Sequence, residues 1–268
     1  MTAPFSKHQQ EIRRNRWVWQ AKPLLVALYR GFYERIMARM DPAVPGRIVE
    51  IGSGIGNLKS YLPNALCTDL FPNPWLDLAC DGYELPFRDG SLSHLILFDV
   101  FHHLRAPNAF LQEARRVLHP TGRLIVFDPY ISWTSYPVYG WLHPEPVAWR
   151  QPIDFSETLS RPRDYYAGQG NATRLLFCGE AGPWPAGWKI LHREALACFS
   201  YLLSGGFSRP AFYPSNCLAW LQRLDAFLSR WPRVFAGRCL VAMTPGCQAL
   251  REPQKTTQQS SKNRLRME

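Results

Sequence analysis

The sequence has no long hydrophobic run. No uninterrupted apolar stretch approaches the roughly 18 residues that a membrane-spanning helix requires. The first fifteen residues are polar and lack the apolar core of a secretory signal. We therefore expect no membrane span and a cytoplasmic location. With 268 residues, 46% of them hydrophobic, the chain can bury the core of one large α/β domain.

Paired cysteines and hydrolase motifs are missing as well. The seven cysteines are scattered, with no C-x-x-C pair and no histidine at the spacing of a metal site. We therefore expect reduced thiols and no structural metal. There is also no G-x-S-x-G sequence, so a serine hydrolase of that type is not supported.

Acidic residues are few, 21 against 31 lysines and arginines, and the net charge is +10. The excess lies at the two ends: residues 1–40 hold eight basic and two acidic residues, and residues 251–268 hold five and two. A nucleic-acid-binding face would place this charge on the folded core. The distribution argues against nucleic acid and favours solvated arms, with at most a peripheral attraction to an anionic membrane surface.

The most informative stretch is residues 47–57, R-I-V-E-I-G-S-G-I-G-N. Its β-branched run breaks into three glycines, which predicts a buried parallel strand, a tight loop and then a helix. A dinucleotide site would have a third motif glycine where Asn57 stands. In addition, Glu50 on the strand would repel a pyrophosphate but suits a ligand that carries an amine.

The pattern Glu50-x-Gly52-x-Gly54-x-Gly56 resembles the first motif of class I S-adenosylmethionine-dependent methyltransferases. In that family the acidic residue and the glycine loop hold the methionine portion of the cofactor. A structural turn without a ligand is the alternative for this loop taken alone. The resemblance implies S-adenosyl-L-methionine as the cofactor, with contacts from Glu50, Gly52, Ser53, Gly54, Gly56 and Asn57.

Further carboxylates follow at the ends of the next predicted strands. Asp69 ends a short strand 19 residues after Glu50, close to the interval at which nucleotide-binding α/β folds place a carboxylate on the ribose. The sequence Asp81-x-x-x-Leu-Pro-Phe again resembles the family, which has an acidic residue near the adenine here. The predicted cofactor set is completed by Leu70, Gly82 and, at the end of the fourth strand, Asp99.

Residues 113–124, E-A-R-R-V-L-H-P-T-G-R-L, resemble the helix end and turn that precede the family's fifth strand, except that Thr121 replaces a usual glycine. The likeness covers about residues 46–130. It implies a Rossmann-like α/β fold with a mostly parallel seven-stranded sheet, helices on both faces and ligands at the carboxyl ends of the strands. The last elements expected are a strand at 188–198, a helix at 216–231 and an antiparallel edge strand at 238–244.

The predicted domain organisation has three parts: a helical extension at residues 1–40, the methyltransferase domain at 41–250 and a disordered basic tail at 251–268. Pro23 should begin a second helix in the extension. Within the domain, residues 129–215 collect five of the ten tryptophans and many prolines. Such aromatic walls suit a small or lipid-like substrate; simple packing of a loop-rich insertion is an equal alternative.

Methyl transfer to an oxygen or nitrogen requires alignment and removal of a proton. A histidine suits that task because its pKa lies near working pH. His143, in the aromatic segment, is the first candidate for the base. His103 or its neighbour His102, which follow the fourth strand, and Tyr130 or Asp128, at the end of the fifth, are the others.

These features predict a methyltransferase that acts on a small or lipid-like metabolite. Two alternatives stay open at this point. One is an NAD-dependent oxidoreductase, which Glu50 and Asn57 disfavour. The other is a non-catalytic methyltransferase-like binding protein, which need not keep the full set of carboxylates and glycines.

Overall fold

A seven-stranded sheet forms the centre of the computed structural model, which describes residues 3–142, 147–156 and 170–246. The strand order is β3-β2-β1-β4-β5-β7-β6. The first five strands pair in parallel, and β7 pairs antiparallel with both β5 and β6. The Rossmann-like, mostly parallel sheet is confirmed, but its antiparallel strand lies one position inside the edge. The strands are β1 (Arg47–Ile51), β2 (Leu66–Asp69), β3 (Leu78–Ala79), β4 (Leu92–Phe98), β5 (Leu118–Pro129), β6 (Trp188–Ala197) and β7 (Ala236–Pro245).

Two of the strands are irregular. β3 has only two residues, both exposed, because it lies at the edge of the sheet and pairs on one side. β5 begins at Leu118 and pairs there with Leu92 of β4, and the pairing resumes only at Arg123. The turn that the resemblance implies within residues 113–124 is therefore an excursion within the strand, at residues 119–122.

The helices follow the proline signals. Pro23 begins the second helix as predicted, since proline lacks the N–H that the first helical turn leaves unpaired. The helix expected at 216–231 ends at Leu228, and Pro232 starts another. The glycine loop leads into a single 3₁₀ turn, Asn57–Ser60. The helices are α1 (Ala3–Ala21), α2 (Pro23–Met37), α3 (Pro107–Val117), α4 (Ser135–Pro137), α5 (Phe199–Leu203), α6 (Leu218–Leu228) and α7 (Pro232–Phe235).

Helices cover both faces of the sheet. On one face, the apolar side of α2, including Leu25 and Ile36, packs against Phe98 of β4 and Phe127 of β5. On the other face, α3 packs with the π-helical turn Thr173–Phe177. Because both faces are covered, β4 is buried along its whole length. The packing of the core therefore begins before the predicted domain boundary at residue 41.

The parallel strands bring their carboxyl ends to one edge of the sheet, where ligands bind in folds of this type. The loops that follow β1, β2, β4 and β5 meet there. No helix among the described residues combines the length and the apolar character that crossing a membrane requires. The predicted tail at 251–268 lies outside the described residues.

Candidate functional site

A cleft of about 1240 Å³ opens at the carboxyl ends of the parallel strands. This volume exceeds the roughly 300–1,000 Å³ of typical small-molecule sites, so a cofactor and a second molecule can share it. The cleft collects nearly the whole predicted set: Glu50, Gly52, Ser53, Gly54, Asn57, Asp69, Leu70, Asp81, Gly82, Asp99 and His103 line it.

The glycine loop has the backbone geometry that its sequence predicts. Gly52 has a φ of +68°, and a Cβ there would lie 2.3 Å from Cγ2 of Val100. Gly56 has a φ of +71°, and a Cβ there would lie 2.5 Å from the carbonyl oxygen of Trp75. Both positions exclude side chains. Gly56 shapes the turn and is not one of the described lining residues, so its contact with the cofactor stays a prediction.

Asp69 ties the loop to the end of β2. Its Oδ2 accepts a hydrogen bond from the N–H of Gly54 at 2.9 Å, and its Oδ1 accepts one from Leu70 at 2.7 Å. A carboxylate oxygen can accept more than one hydrogen bond, so both oxygens keep capacity for a ligand hydroxyl. The ribose role of Asp69 stays a prediction, and this geometry fits it.

Glu50 is the most deeply buried carboxylate of the loop, with 1% of its surface exposed. Its Oε1 accepts a hydrogen bond from the Tyr33 hydroxyl at 3.4 Å, and the thiol of Cys67 lies 3.8 Å from Oε2. Burial raises the pKa of Glu50 to about 7, although hydrogen bonds from neighbouring side chains, Tyr33 among them, act in the opposite direction. An amine cation in the cleft would favour the ionised carboxylate.

Asn57 offers an acceptor that no other described residue uses. The residue is buried at the start of the 3₁₀ turn, and its Oδ1 has no hydrogen-bond partner among the described residues. A buried acceptor left without a partner is costly. A donor on a ligand, such as the amine of S-adenosylmethionine, would remove that cost, so this part of the cleft fits the predicted cofactor.

A histidine that lines the cleft forms a buried pair with an aspartate of β5. The turn after β4 places His102 at the cleft, and its Nδ1 lies 3.2 Å from Oδ2 of Asp128 in β5. The other oxygen of Asp128 accepts the N–H of Val100 at 3.1 Å. Burial raises the pKa of Asp128, whereas the adjacent His102 lowers it. A carboxylate on one ring nitrogen fixes the tautomer of a histidine and orients the other nitrogen.

Asp99, a predicted cofactor contact, forms an ion pair within the protein. It follows β4 with a φ of +58°, which is uncommon for a residue other than glycine. Its carboxylate pairs with the guanidinium of Arg238 in β7, of which only 2% is exposed. That guanidinium also lies 4.6 Å from the ring centroid of Tyr201. The ion pair and the aromatic ring both compensate for the buried cation.

The three predicted bases have different outcomes. His103 lines the cleft, and the centroid of its ring lies 3.9 Å from that of His102. Tyr130 is not among the lining residues; its ring packs edge-on against Phe177 in the apolar layer on the α3 face. Tyr130 is therefore a core residue, which corrects its predicted role. His143 lies outside the described residues.

The sequence did not indicate that α1 forms a wall of the cleft. His8, Ile12 and Arg14 of this helix line it, and Nη2 of Arg14 donates a hydrogen bond to the carbonyl of Ser208 at 3.0 Å. Lys22, which precedes α2, donates to further carbonyls of the same loop, including Gly206 at 2.7 Å. These contacts join segments more than 180 residues apart, and no local pattern reveals them.

Residues 49–126 match a family model described as a methyltransferase domain. The match begins within β1 and ends within β5, so it contains the glycine loop and the carboxylates at the ends of β1, β2 and β4. Residues 49–126 thus form a methyltransferase domain with a mostly parallel, Rossmann-like sheet. The chain is an enzyme of this kind, and S-adenosyl-L-methionine is its cofactor.

Several solved structures are similar to the chain. One is the complex between the Haloferax volcanii Trm112 methyltransferase activator and its candidate methyltransferase, with a TM-score of 0.51 and 18% identity over 91% of this chain and 97% of that one. Another is an S-adenosylmethionine-dependent methyltransferase from Archaeoglobus fulgidus, with a TM-score of 0.48 and 12% identity over 82% and 93%. Geranyl diphosphate C-methyltransferase from Streptomyces coelicolor has a TM-score of 0.47 and 13% identity over 81% and 76%. No protein of curated function matches the sequence.

Proposed function

We propose that this enzyme methylates a small or lipid-like metabolite in the cleft, and that His102 removes the proton from the acceptor. The observation that carries this proposal is that His102, paired with the buried Asp128, lines the same cleft as the glycine loop and the carboxylate of Asp69. The proposed cofactor site and the proposed base would thus adjoin. The cytoplasmic location expected from the sequence stays a prediction.

In this proposal, different residues of the protein bind the cofactor and remove the proton. Glu50, Asn57 and Asp69 would hold the cofactor, which supplies the activated methyl group when bound. Asp128 holds the Nδ1 side of the His102 ring at 3.2 Å, so the opposite nitrogen is the one that takes a proton. Because Asp128 is fully buried, the positive charge that develops on His102 has a nearby, poorly screened counter-charge.

The far wall of the cleft supports an acceptor with an apolar body. That wall is built largely by α5 and the loop after it, and its side chains are mainly aromatic or aliphatic. Such a wall buries the apolar body of a ligand and leaves few polar groups to orient it. The wall residues include Tyr139, Phe199, Tyr201, Leu203, Phe207 and Phe212.

The test is methyl transfer from labelled S-adenosylmethionine to fractions of a metabolite and lipid extract. We expect incorporation with the wild-type chain. His102→Gln should lower turnover at least a hundredfold, since general bases contribute about 10²–10⁴-fold, while calorimetry shows unchanged cofactor affinity. His119→Gln is the matched control, because His119 contacts Thr121 in the excursion of β5, away from the cleft.

Two outcomes would contradict the proposal. Normal turnover in His102→Gln would remove this residue as the base. Cofactor binding without incorporation into any fraction would instead favour the non-catalytic binding protein. Neither that alternative nor the oxidoreductase receives support from the family match.

A further inference from the structure

Exposed aromatic side chains form a band on the outer face of α6, α7 and the residues after β5. Trp220 and Phe227 lie seven residues apart on α6 and so share one side of the helix. The ring centroid of Phe227 is 5.3 Å from that of Trp231. The N–H of Trp133 donates to the carbonyl of Arg233 at 3.2 Å, which brings a fourth aromatic residue alongside. The aromatic band consists of Trp133, Trp220, Phe227, Trp231 and Val234, all exposed.

The tryptophans of this band are highly exposed for such large apolar side chains. Trp133 is 83% exposed and Trp220 is 64% exposed. Isolated exposed apolar residues are ordinary, but contiguous ones indicate an interaction site. The band therefore has the properties of a surface that binds another molecule or a membrane.

The charge of the same surface has one sign. Arg223, Arg230 and Arg233 are exposed on α6, α7 and the link between them. Between residues 195 and 246 the sequence contains one acidic residue, Asp225. Asp225 is buried and accepts hydrogen bonds from the N–H groups of Phe199 and Ser200. The described surface of this segment thus presents arginines without an acidic neighbour from the same stretch.

The band continues to the mouth of the cleft. Thr134, which lines the cleft, donates from its N–H and its hydroxyl to the carbonyl of Val234 at 3.1 and 2.7 Å. Phe199, another lining residue, has its ring centroid 6.2 Å from that of Phe235. Phe212 lines the cleft and is itself 68% exposed. A body that covers the band would therefore also meet the entrance.

We propose that the aromatic band docks onto an anionic lipid bilayer and that the methyl acceptor enters the cleft from that bilayer. Aromatic side chains favour the membrane–water interface, and arginines are attracted to anionic headgroups. The exposed charges of α6, α7 and the link between them are all positive, because Arg223, Arg230 and Arg233 accompany the aromatic residues and the one acidic residue of this stretch is buried. This charge is complementary to a surface of anionic headgroups. The acceptor part of this inference rests on the proposed function; the docking part does not.

Docking is tested by sedimentation of the full chain with lipid vesicles. We expect strong binding to vesicles of phosphatidylcholine mixed with phosphatidylglycerol, and weak binding to phosphatidylcholine alone. Trp133→Ser with Trp231→Ser should abolish most of the binding. Each of Arg230→Gln and Arg233→Gln should weaken it about fivefold, from roughly 1 kcal/mol per basic residue near an anionic surface.

Two substitutions on other faces serve as controls. Leu191→Ser removes an exposed apolar side chain from β6, and Arg88→Gln removes an exposed arginine from the turn before β4. Neither should change vesicle binding. Vesicle binding that the band substitutions leave intact, for example through the basic ends of the chain, would overturn the proposal. So would a dimer in light scattering that the band substitutions dissociate without changing vesicle binding.

The two proposals fail separately. Loss of vesicle binding in the band variants, with normal cofactor affinity and normal transfer to a detergent-dispersed acceptor, supports the docking surface. Vesicle binding that depends on the band, without methyl transfer to any fraction, still supports docking and contradicts the proposed function.

Discussion

Glu50→Gln should make the cofactor-free protein more stable at alkaline pH while weakening cofactor binding. The folded protein buries the Glu50 carboxylate almost completely and raises its pKa from 4.5 to about 7. At about 1.4 kcal/mol per pKa unit, keeping this group ionised costs the folded state about 3 kcal/mol. Glutamine has nearly the same shape, keeps an acceptor for the Tyr33 hydroxyl and carries no charge.

The sign of the pH dependence follows from the raised pKa. Below pH 4.5 the carboxyl group is neutral in both the folded and the unfolded state, so it contributes no pH dependence. Between pH 4.5 and about 7 the unfolded chain loses the proton first, and the free energy of unfolding falls as the pH rises. Above about pH 7 the free energy of unfolding falls no further on account of Glu50, because the carboxyl group is then ionised in both states. The Glu50→Gln variant lacks this group. The free energy of unfolding of the variant, relative to that of wild type, should therefore increase by about 3 kcal/mol between pH 4.5 and pH 8.

The measurement is urea unfolding of both proteins across this pH range, with Glu34→Gln as the control. Glu34 is an exposed glutamate on α2, so its replacement makes the same chemical change without removing a buried carboxylate. Thermal unfolding should show the same trend, at about 2–4 °C per kcal/mol for a chain of this size. If the free energies of unfolding of wild type and variant differ by the same amount at pH 4.5 and pH 8, the conclusion that burial raises the pKa of Glu50 is refuted.

Cofactor binding gives a second readout of the same residue. If the cofactor's amine approaches Glu50, binding below pH 7 should drive the proton off the carboxyl group. Calorimetry in buffers of different ionisation enthalpy would detect this release in wild type and not in Glu50→Gln. Equal proton release in the two proteins would place the amine elsewhere.

Three further substitutions test the loop and its partners. Gly52→Ala should destabilise the protein by more than Gly90→Ala, because both glycines have positive φ values but only the Cβ at residue 52 meets a neighbour, Val100. The Gly90 variant should lose only about 1–2 kcal/mol of backbone strain, and equal losses in denaturant unfolding would mean that the loop can move away from Val100. Asp69→Asn should lower cofactor affinity about ten- to a hundredfold by calorimetry, since a hydrogen bond to a charged group contributes about 1.5–3 kcal/mol. Unchanged affinity would contradict the ribose role.

Local patterns were sufficient for the sheet and for most of the cofactor side of the cleft. The first strand is marked by a β-branched run that contains Glu50 and stops at Gly52, and the second is a short strand that ends at Asp69. Since parallel strands end at one edge of the sheet, the pattern alone predicted that these groups lie together. The same local reasoning assigned Tyr130 to the site because it follows β5, but it could not tell which face of the sheet receives the ring.

The sequence by itself therefore determined the fold class, the glycine loop and the carboxylates that the cleft collects, because each is encoded within a few consecutive residues. Only the tertiary structure decided what surrounds them. Tyr33 from α2 buries Glu50, Asp128 orients His102, and Arg238 pairs with Asp99. These contacts join residues between 17 and 139 positions apart. Burial and pairing depend on the folded neighbourhood, so no short-range pattern can encode them.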